Sequence, residues 1–162
     1  SKDDLLLDII SMKELNEIKI EHLTIDLMEE LRDIEGAQVI MNSFNDNANK
    51  LILVIGDNSC GSCVDISLNL LRKLVPDYDH KQIKVLGYYE NRREFYLLSK
   101  RYNFEFYFLS EKSSLIEAAI KGPVFFILDS NNTIKSAFFP DSRYPILTEK
   151  YLTEILNNNL EN

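Results

Sequence analysis

The order of apolar and polar positions divides this chain into an N-terminal helical part and a longer part in which strands and helices alternate. Near the N-terminus, apolar residues return every three or four positions, as is typical of a helix. They are Leu5, Ile9, Met12, Leu23, Leu27 and Leu31. The segment 18–25, rich in β-branched residues, predicts a break in this helical pattern. Gly36 is a predicted helix stop, and residues 37–44 are a predicted strand.

The remainder of the chain predicts a mixed sheet. The apolar run 51–55 indicates a buried strand, and the segment 61–75 behind it has the pattern of an amphipathic helix. We expect further helices at 91–102, 113–120 and 147–156, strands at 83–89, 124–128 and 133–139, and a strand or extended arm at 104–109. A helical crossover makes the first two strands parallel, whereas 124–128 and 133–139 form a hairpin. The fold class is therefore α/β, with a central mixed β-sheet flanked by helices and an N-terminal, mostly helical extension.

Size and charge limit the kinds of partner. The chain has 162 residues, 45% hydrophobic and 27% charged, which suits one folded domain with an N-terminal elaboration. Its formal net charge of −8 argues against electrostatic binding of nucleic acid or anionic lipid. No apolar run approaches the roughly 18–20 residues that span a bilayer.

The two cysteines stand in the segment Cys60-Gly61-Ser62-Cys63, between the first predicted strand and its helix. A disulfide across so short a loop gives little stability, so redox chemistry is the better explanation for the pair. Cys60 in the loop is the expected exposed nucleophile, and Cys63, one turn into the helix, the expected buried resolving thiol. The free N–H groups and the positive dipole end of the helix favour a thiolate at Cys60. The Ser62 hydroxyl could donate to that thiolate, whereas Asp57 and Asp65 oppose its ionisation.

With these residues identified, the chain resembles thioredoxin-fold proteins, in particular the thioredoxin-like, often lipid-anchored envelope proteins of Bacteroidetes-type bacteria. The resemblance runs from about residue 50 to residue 156. It rests on the Cys60–Cys63 motif after a buried strand, on Pro123 before strand 124–128, on the turn 129–132 and on the C-terminal helix. Residues 46–162 are accordingly expected to form a thioredoxin-like domain, with residues 1–45 as an N-terminal extension packed on it.

The resemblance implies a thiol–disulfide oxidoreductase that acts on protein disulfides, with Cys60 and Cys63 as its catalytic residues. It implies a cis peptide bond at Pro123 and a substrate groove formed by Ser59, Gly61, Ser62, Gly122 and Pro123. It implies another dithiol protein as electron donor and no organic cofactor or metal. The implied location is the periplasm or cell envelope, by way of a lipid anchor upstream of this chain.

Three positions depart from the best-known reductase of the family. That reductase has a buried Asp six residues before the first cysteine, a Trp directly before it and a Pro between the cysteines. This chain has Val54, Ser59 and Ser62 at these positions, and it has no Trp. Without a carboxylate at position 54, water or another acidic side chain, in its ionised form, must accept the Cys63 proton. This predicts slower reduction of substrates.

Several alternatives compete with redox catalysis. A structural or relict disulfide is one. A zinc half-site is another, but it needs two further ligands, and His22 and His80 do not stand at ligand spacing. A peroxidase of this fold normally has Thr or Ser three residues before its nucleophile, where this chain has Asp57. A non-catalytic thioredoxin-like binding or scaffold module of the cell envelope would tolerate loss of Cys60, whereas an oxidoreductase would not. Tyr88 and Tyr89 could flank a groove, although half-buried strand tyrosines are the ordinary interpretation.

Overall fold

A computed structural model describes residues 1–75, 77–158 and 160 of the chain. Its helices are α1 (Lys2–Glu21), α2 (Gly61–Leu74), α3 (Arg92–Arg101), α4 (Ile116–Lys121) and α5 (Pro145–Asn158). Its strands are β1 (Glu30–Asp33), β2 (Gln38–Ile40), β3 (Lys50–Gly56), β4 (Ile83–Tyr88), β5 (Glu105–Phe108), β6 (Val124–Leu128) and β7 (Ile134–Phe138). Short 3₁₀ helices occupy Met41–Phe44 and Asp77–Gln82.

The strands of the described chain form one mixed sheet in the order β2-β1-β5-β4-β3-β6-β7. The neighbours β3, β4 and β5 run parallel, whereas β6 pairs antiparallel with β3 and β7 pairs antiparallel with β6. The remaining pairs, β1 with β2 and β1 with β5, are antiparallel. This arrangement confirms the predicted α/β class, with a mixed sheet and an N-terminal helix.

Strand β3 lies at the centre of the sheet and is buried on both faces. Its odd-numbered residues 51, 53 and 55 pack with α2, α3 and α5. The even-numbered residues 52 and 54 pack in a second cluster with α4 and the end of α1. Because both faces are covered, every position of β3 must be apolar or paired, which explains its continuous hydrophobic run.

Short polar side chains mark where several elements begin. The Asn91 side chain accepts a hydrogen bond from the Glu94 amide, 3.2 Å away, and so caps α3. The Asp129 carboxylate accepts hydrogen bonds from the amides of Asn131 and Thr133, both at 2.9 Å, and so closes the turn between β6 and β7. These elements begin within about three residues of their predicted positions.

Helix α1 is continuous from Lys2 to Glu21 and contacts the domain through its C-terminal half. The Lys13 ammonium lies 4.4 Å from the centre of the Phe138 ring in β7. The Glu21 carboxylate accepts a hydrogen bond from the Ala137 amide of the same strand at 3.0 Å. Helix α1 therefore lies against the outer edge strand β7.

The prediction of a second N-terminal helix over residues 23–31 is wrong. The Asp26 carboxylate accepts a hydrogen bond from the Met28 amide at 3.0 Å, which makes a turn, and β1 follows. The Glu29 carboxylate is bonded to Ser113 and Ser114, so contacts distant in sequence decide the local structure here.

Gly36 does not stop a helix. It lies at a φ of +89° in the turn between β1 and β2, a conformation that favours glycine. The predicted strand over residues 37–44 is shorter, because β2 ends at Ile40 and the 3₁₀ helix that follows buries Met41 and Phe44. Since β1 and β2 join the same sheet as the rest, the division between residues 45 and 46 stays a prediction.

Candidate active site

The two cysteines lie where β3 gives way to α2. Cys60 is the N-cap residue of α2, and its Sγ accepts a hydrogen bond from the Cys63 amide at 3.2 Å. The two residues are joined by a disulfide, with their Cα atoms 5.2 Å apart. Cys60 is exposed, whereas only 6% of Cys63 is exposed. The structure thus brings the two predicted cysteines together, one open to a partner and one protected.

The start of α2 is suited to hold a negative charge on Cys60. The first amides of a helix have no partners within the helix, and one of them already points at the Cys60 sulfur. Acidic groups lie nearby: Asp65 is 3.9 Å from Arg101, and the Asp57 carboxylate accepts a hydrogen bond from the Glu90 amide at 2.9 Å. Because both carboxylates have partners, their opposition to a thiolate is partly offset.

The two serines of this segment have different surroundings. The Ser59 hydroxyl accepts from the Gly56 amide at 2.9 Å and donates to the Ala119 carbonyl at 3.2 Å, which fastens the loop to α4. The Ser62 hydroxyl lies 3.3 Å from the Cys60 sulfur and 3.1 Å from the hydroxyl of Ser142. Ser62 therefore lies close to the Cys60 sulfur, its donation to a thiolate stays a prediction, and Ser142 is a neighbour that the sequence did not indicate.

Gly122 and Pro123 directly precede strand β6, the neighbour of β3 in the sheet. Val124, the first residue of β6, is paired with Val54, so Gly122 and Pro123 lie beside the end of β3 that leads to the cysteines. The Gly122–Pro123 peptide bond is cis. A Cβ atom at position 122 would lie 2.8 Å from the Val54 carbonyl oxygen, so only glycine allows this close approach. The predicted groove residues thus lie at one end of the sheet.

A cleft of about 700 Å³ opens beside the cysteine segment, towards α3. Ser59 and Gly61 line it on the cysteine side, and Tyr89 and Leu97 line it farther away. Burial, together with the nearby Glu94, Asp57 and Asp65, raises the pKa of Tyr89 to about 12. Tyr89 therefore keeps its hydroxyl proton at neutral pH and can donate it to a bound molecule.

Leu97 is a cleft residue that the sequence analysis missed. It is 49% exposed, whereas its neighbours Phe95 and Leu98 on α3 are buried. An apolar residue on the polar face of an amphipathic helix is the signal that could have identified it. A second cleft of about 680 Å³ shares Tyr89 and continues along β1 and the segment after β5.

Three further features of the described residues bear on the kind of site and on its setting. The described residues contain no group of three or more His, Cys, Asp or Glu side chains arranged to hold a metal ion. Val54, six residues before Cys60, is fully buried among apolar side chains. None of the helices in the described part of the chain has the length and hydrophobicity to cross a membrane.

No protein-family model matches this chain, and no curated protein is similar to it in sequence. Solved structures do match. A thiol-disulfide isomerase from Corynebacterium glutamicum is 12% identical, with a TM-score of 0.56, over 88% of this chain and 99% of that protein. A candidate thiol:disulfide interchange protein, DsbE, from Chlorobium tepidum is 17% identical, with a TM-score of 0.58, over 83% and 98%. An uncharacterized thioredoxin-like protein from Porphyromonas gingivalis is 17% identical, with a TM-score of 0.54, over 83% and 94%.

These similarities, together with the sheet order and the position of the disulfide, define the class of protein. The chain has a thioredoxin-like fold, as its sequence predicted. At identities below 20% the similarity concerns the fold, and the chemistry must be argued from the residues of this chain.

Proposed function

We propose that this protein is a thiol–disulfide oxidoreductase that exchanges disulfides with protein substrates through Cys60 and Cys63. One observation carries the proposal. The exposed Cys60 sulfur accepts a hydrogen bond from the first turn of α2 and is bonded to the buried Cys63. This is the asymmetry that exchange requires, because one thiol must reach the substrate and the other must stay in reserve.

The reaction proceeds in two displacements. The Cys60 thiolate attacks one sulfur of a substrate disulfide, which forms a mixed disulfide and releases the other substrate sulfur as a thiolate. Cys63 then loses its proton and attacks the Cys60 sulfur, which releases the second substrate thiolate and forms the Cys60–Cys63 disulfide. Two electrons pass from the protein to the substrate, and two protons complete the substrate thiols. The reverse sequence oxidises a substrate dithiol.

The proton of Cys63 must leave without a carboxylate at position 54. Val54 is fully buried and packs with Ala118 and Ala119, so this part of the site offers no base. Water entering beside the exposed Cys60 is the acceptor that the geometry favours. We therefore expect resolution of the mixed disulfide to be slower than in a protein with a buried carboxylate at this position.

The substrate is an extended polypeptide segment that lies across the cysteine pair. Gly122 and Pro123 would present backbone groups to it, as in strand addition, while Ser59, Gly61 and Ser62 border it on the other side. The position of Gly122 and Pro123 beside the end of β3 supports this assignment. The cleft lined by Leu97 and Tyr89 is the adjoining space for a substrate side chain.

The electron donor is another dithiol protein, and the location is the periplasm or cell envelope. The resemblance to envelope proteins supports this location, as does the oxidising character of the bacterial periplasm, where disulfides persist. The same resemblance supports a lipid anchor upstream of this chain. Residues 1–45 would then be the extension between anchor and domain. Fractionation of cells that express the complete gene product tests both parts of this proposal.

The reduction potential of the Cys60–Cys63 pair tests the proposed chemistry. The protein is equilibrated in glutathione or dithiothreitol buffers, free thiols are alkylated, and the mass shift is measured. Catalysis predicts a reversible two-electron transition between about −270 and −120 mV, whose value separates a reductase from an oxidant. A pair that stays oxidised below about −300 mV behaves as a structural bond and contradicts the proposal.

A non-catalytic binding module is the second candidate function, and helix α1 is the observation that favours it. Eight apolar side chains of α1 are between 44% and 64% exposed: Leu5, Leu6, Leu7, Ile9, Ile10, Met12, Leu15 and Ile18. A surface of this kind is typical of binding rather than of redox chemistry. The variant Cys60→Ser separates the two candidates, because a binding module keeps its function in this variant and an oxidoreductase loses it.

A further inference from the structure

Two serine hydroxyls form a line that leads from Cys60 to a distant loop. The Ser62 hydroxyl lies 3.3 Å from the Cys60 sulfur, and it donates a hydrogen bond to the Ser142 hydroxyl at 3.1 Å. Ser142 belongs to the loop between β7 and α5, which is 80 residues from Ser62 in sequence. This is a direct side-chain link between the cysteine segment and the loop that precedes α5.

The loop that carries Ser142 is held in place by its neighbours. The Asp141 carboxylate accepts hydrogen bonds from the Arg143 amide at 2.9 Å and from the Arg143 side chain, with its Nη2 at 2.7 Å. Bonding to Arg143 holds the pKa of Asp141 below its usual value, so this pair stays charged at neutral pH. The Ser142 hydroxyl therefore lies in a turn that the hydrogen bonds between Asp141 and Arg143 stabilise.

A hydroxyl has one hydrogen to donate and two lone pairs that accept. In the oxidised protein, the Ser62 hydroxyl donates its hydrogen to the Ser142 hydroxyl. When Cys60 is a thiolate, Ser62 can direct that hydrogen to the sulfur only if its bond to Ser142 reverses, so that Ser142 donates and Ser62 accepts. Ser142 can do this because it too is a hydroxyl. Without it, the exposed Ser62 side chain is free to turn towards water.

We propose that Ser142 is a positioning residue of the cysteine pair, which orients the Ser62 hydroxyl towards the Cys60 sulfur and so stabilises the reduced, thiolate form. This inference rests on the proposed thiol–disulfide exchange, because it assigns Ser142 a role in preparing the nucleophile of that reaction. Ser142 acts through Ser62, and the hydrogen-bond direction between the two serines changes with the redox state of Cys60.

Charged side chains also lie on the elements around this line of hydroxyls. They are Asp57, Asp65, Arg101, Asp141, Arg143 and Lys13. All of them are retained in the serine variants below. A change in the pH dependence of Cys60 among these variants therefore reports the hydroxyls and not the surrounding charge.

The test measures the reactivity of Cys60 towards iodoacetamide between pH 4 and pH 9. The parent is the Cys63→Ser variant, which keeps the backbone amide at position 63 and leaves one thiol. Ser142→Ala, Ser62→Ala, the double variant and Ser142→Thr are compared in this background. Ser99→Ala is the matched control, because the Ser99 hydroxyl donates to the Tyr96 carbonyl on α3, away from the cysteines.

We expect Ser142→Ala to move the reactivity midpoint to higher pH and to lower the rate about 2- to 10-fold below that midpoint, the effect of one hydrogen bond. Ser62→Ala should have at least this effect, and the double variant should equal Ser62→Ala, because Ser142 acts only through Ser62. Ser142→Thr should restore the parent profile, and Ser99→Ala should leave it unchanged.

Three outcomes overturn the inference and are distinguishable. If the parent Cys60 reacts well below pH 8 and Ser142→Ala has the same profile, Ser142 has no positioning role, while the proposed exchange chemistry stands. If the parent itself reacts no better than a free cysteine, whose pKa is about 8.5, both the inference and the proposed function fail. An additive effect in the double variant would also contradict it, since Ser142 would then act independently of Ser62.

Discussion

Replacing Gly122 with Ala probes how tightly the segment beside the cysteines is packed. The backbone of Gly122 has a φ of −63° and a ψ of −170°, which any residue can adopt, so the substitution adds no backbone strain. The new Cβ would lie 2.8 Å from the Val54 carbonyl oxygen and 2.9 Å from that of Ala118, closer than real Cβ contacts. Both oxygens belong to the backbone of buried elements, so neither can turn aside.

The magnitude follows from two opposing effects. Overpacking of this kind costs about 1–3 kcal/mol in the free energy of unfolding. Because alanine restricts the unfolded chain more than glycine does, the substitution also stabilises the folded protein by about 0.4–1 kcal/mol. We therefore expect Gly122→Ala to destabilise the protein by about 1–2 kcal/mol. With a urea dependence of about 2 kcal/mol/M, the middle of the usual range, the unfolding midpoint should fall by roughly 0.5–1 M.

Gly61→Ala is the matched control. A Cβ atom at Gly61, the first residue of α2, would meet no atom within 4 Å. Because alanine also favours the helix, this variant should unfold at the same urea concentration as the parent or at a higher one. Both variants are compared in the oxidised state by circular dichroism in urea. An unfolding midpoint for Gly122→Ala at or above that of the unsubstituted protein would refute the packing argument.

Two other predictions concern the chemistry of the site. Cys63→Ser should accumulate mixed disulfides with substrate proteins through Cys60, visible on non-reducing gels, because no second thiol remains to release them; Cys60→Ser is the control, and equal trapping by both variants would contradict the assigned roles. Tyr89 should ionise only near pH 12, whereas an unfolded tyrosine ionises near pH 10. The unfolded state therefore loses its proton first, and stability should fall as the pH rises from about 10 to about 12. Tyr89→Phe should make that fall shallower and remove one late transition from the absorbance titration at 295 nm; an unchanged titration would show that Tyr89 is not protected.

The elements from β3 onwards could be predicted because local sequence and final packing agree there. The odd- and even-numbered residues of β3 pack into two different cores, so its continuous apolar run predicts a strand that is buried on both faces. The start of α3 carries its own cap in Asn91, and the β6–β7 turn its own bonding group in Asp129. The pairing of Cys60 with Cys63 could be predicted because they stand three residues apart at a strand-to-helix junction.

The features that could not be predicted depend on contacts between distant parts of the chain. Glu29 meets Ser113 about 84 residues later, and this contact replaces the helix that the spacing of nearby leucines suggested. Ser142 reaches Ser62 across 80 residues, in a loop whose sequence is ordinary. No periodicity or motif reports either pair, since each depends on how the sheet brings its loops together.

The N-terminal segment also affects self-association in solution, because it covers edges of the sheet. On one side of the sheet, β1 pairs with β5, whose outer edge would otherwise offer the aromatic residues Tyr107 and Phe108 as a template for further strands. The edge that remains is β2, only three residues long. On the other side, α1 lies along β7, and Glu21 occupies the Ala137 amide. A chain that lacks residues 1–45 would have two open sheet edges and would tend to aggregate. The first 45 residues therefore protect the protein against edge-to-edge association.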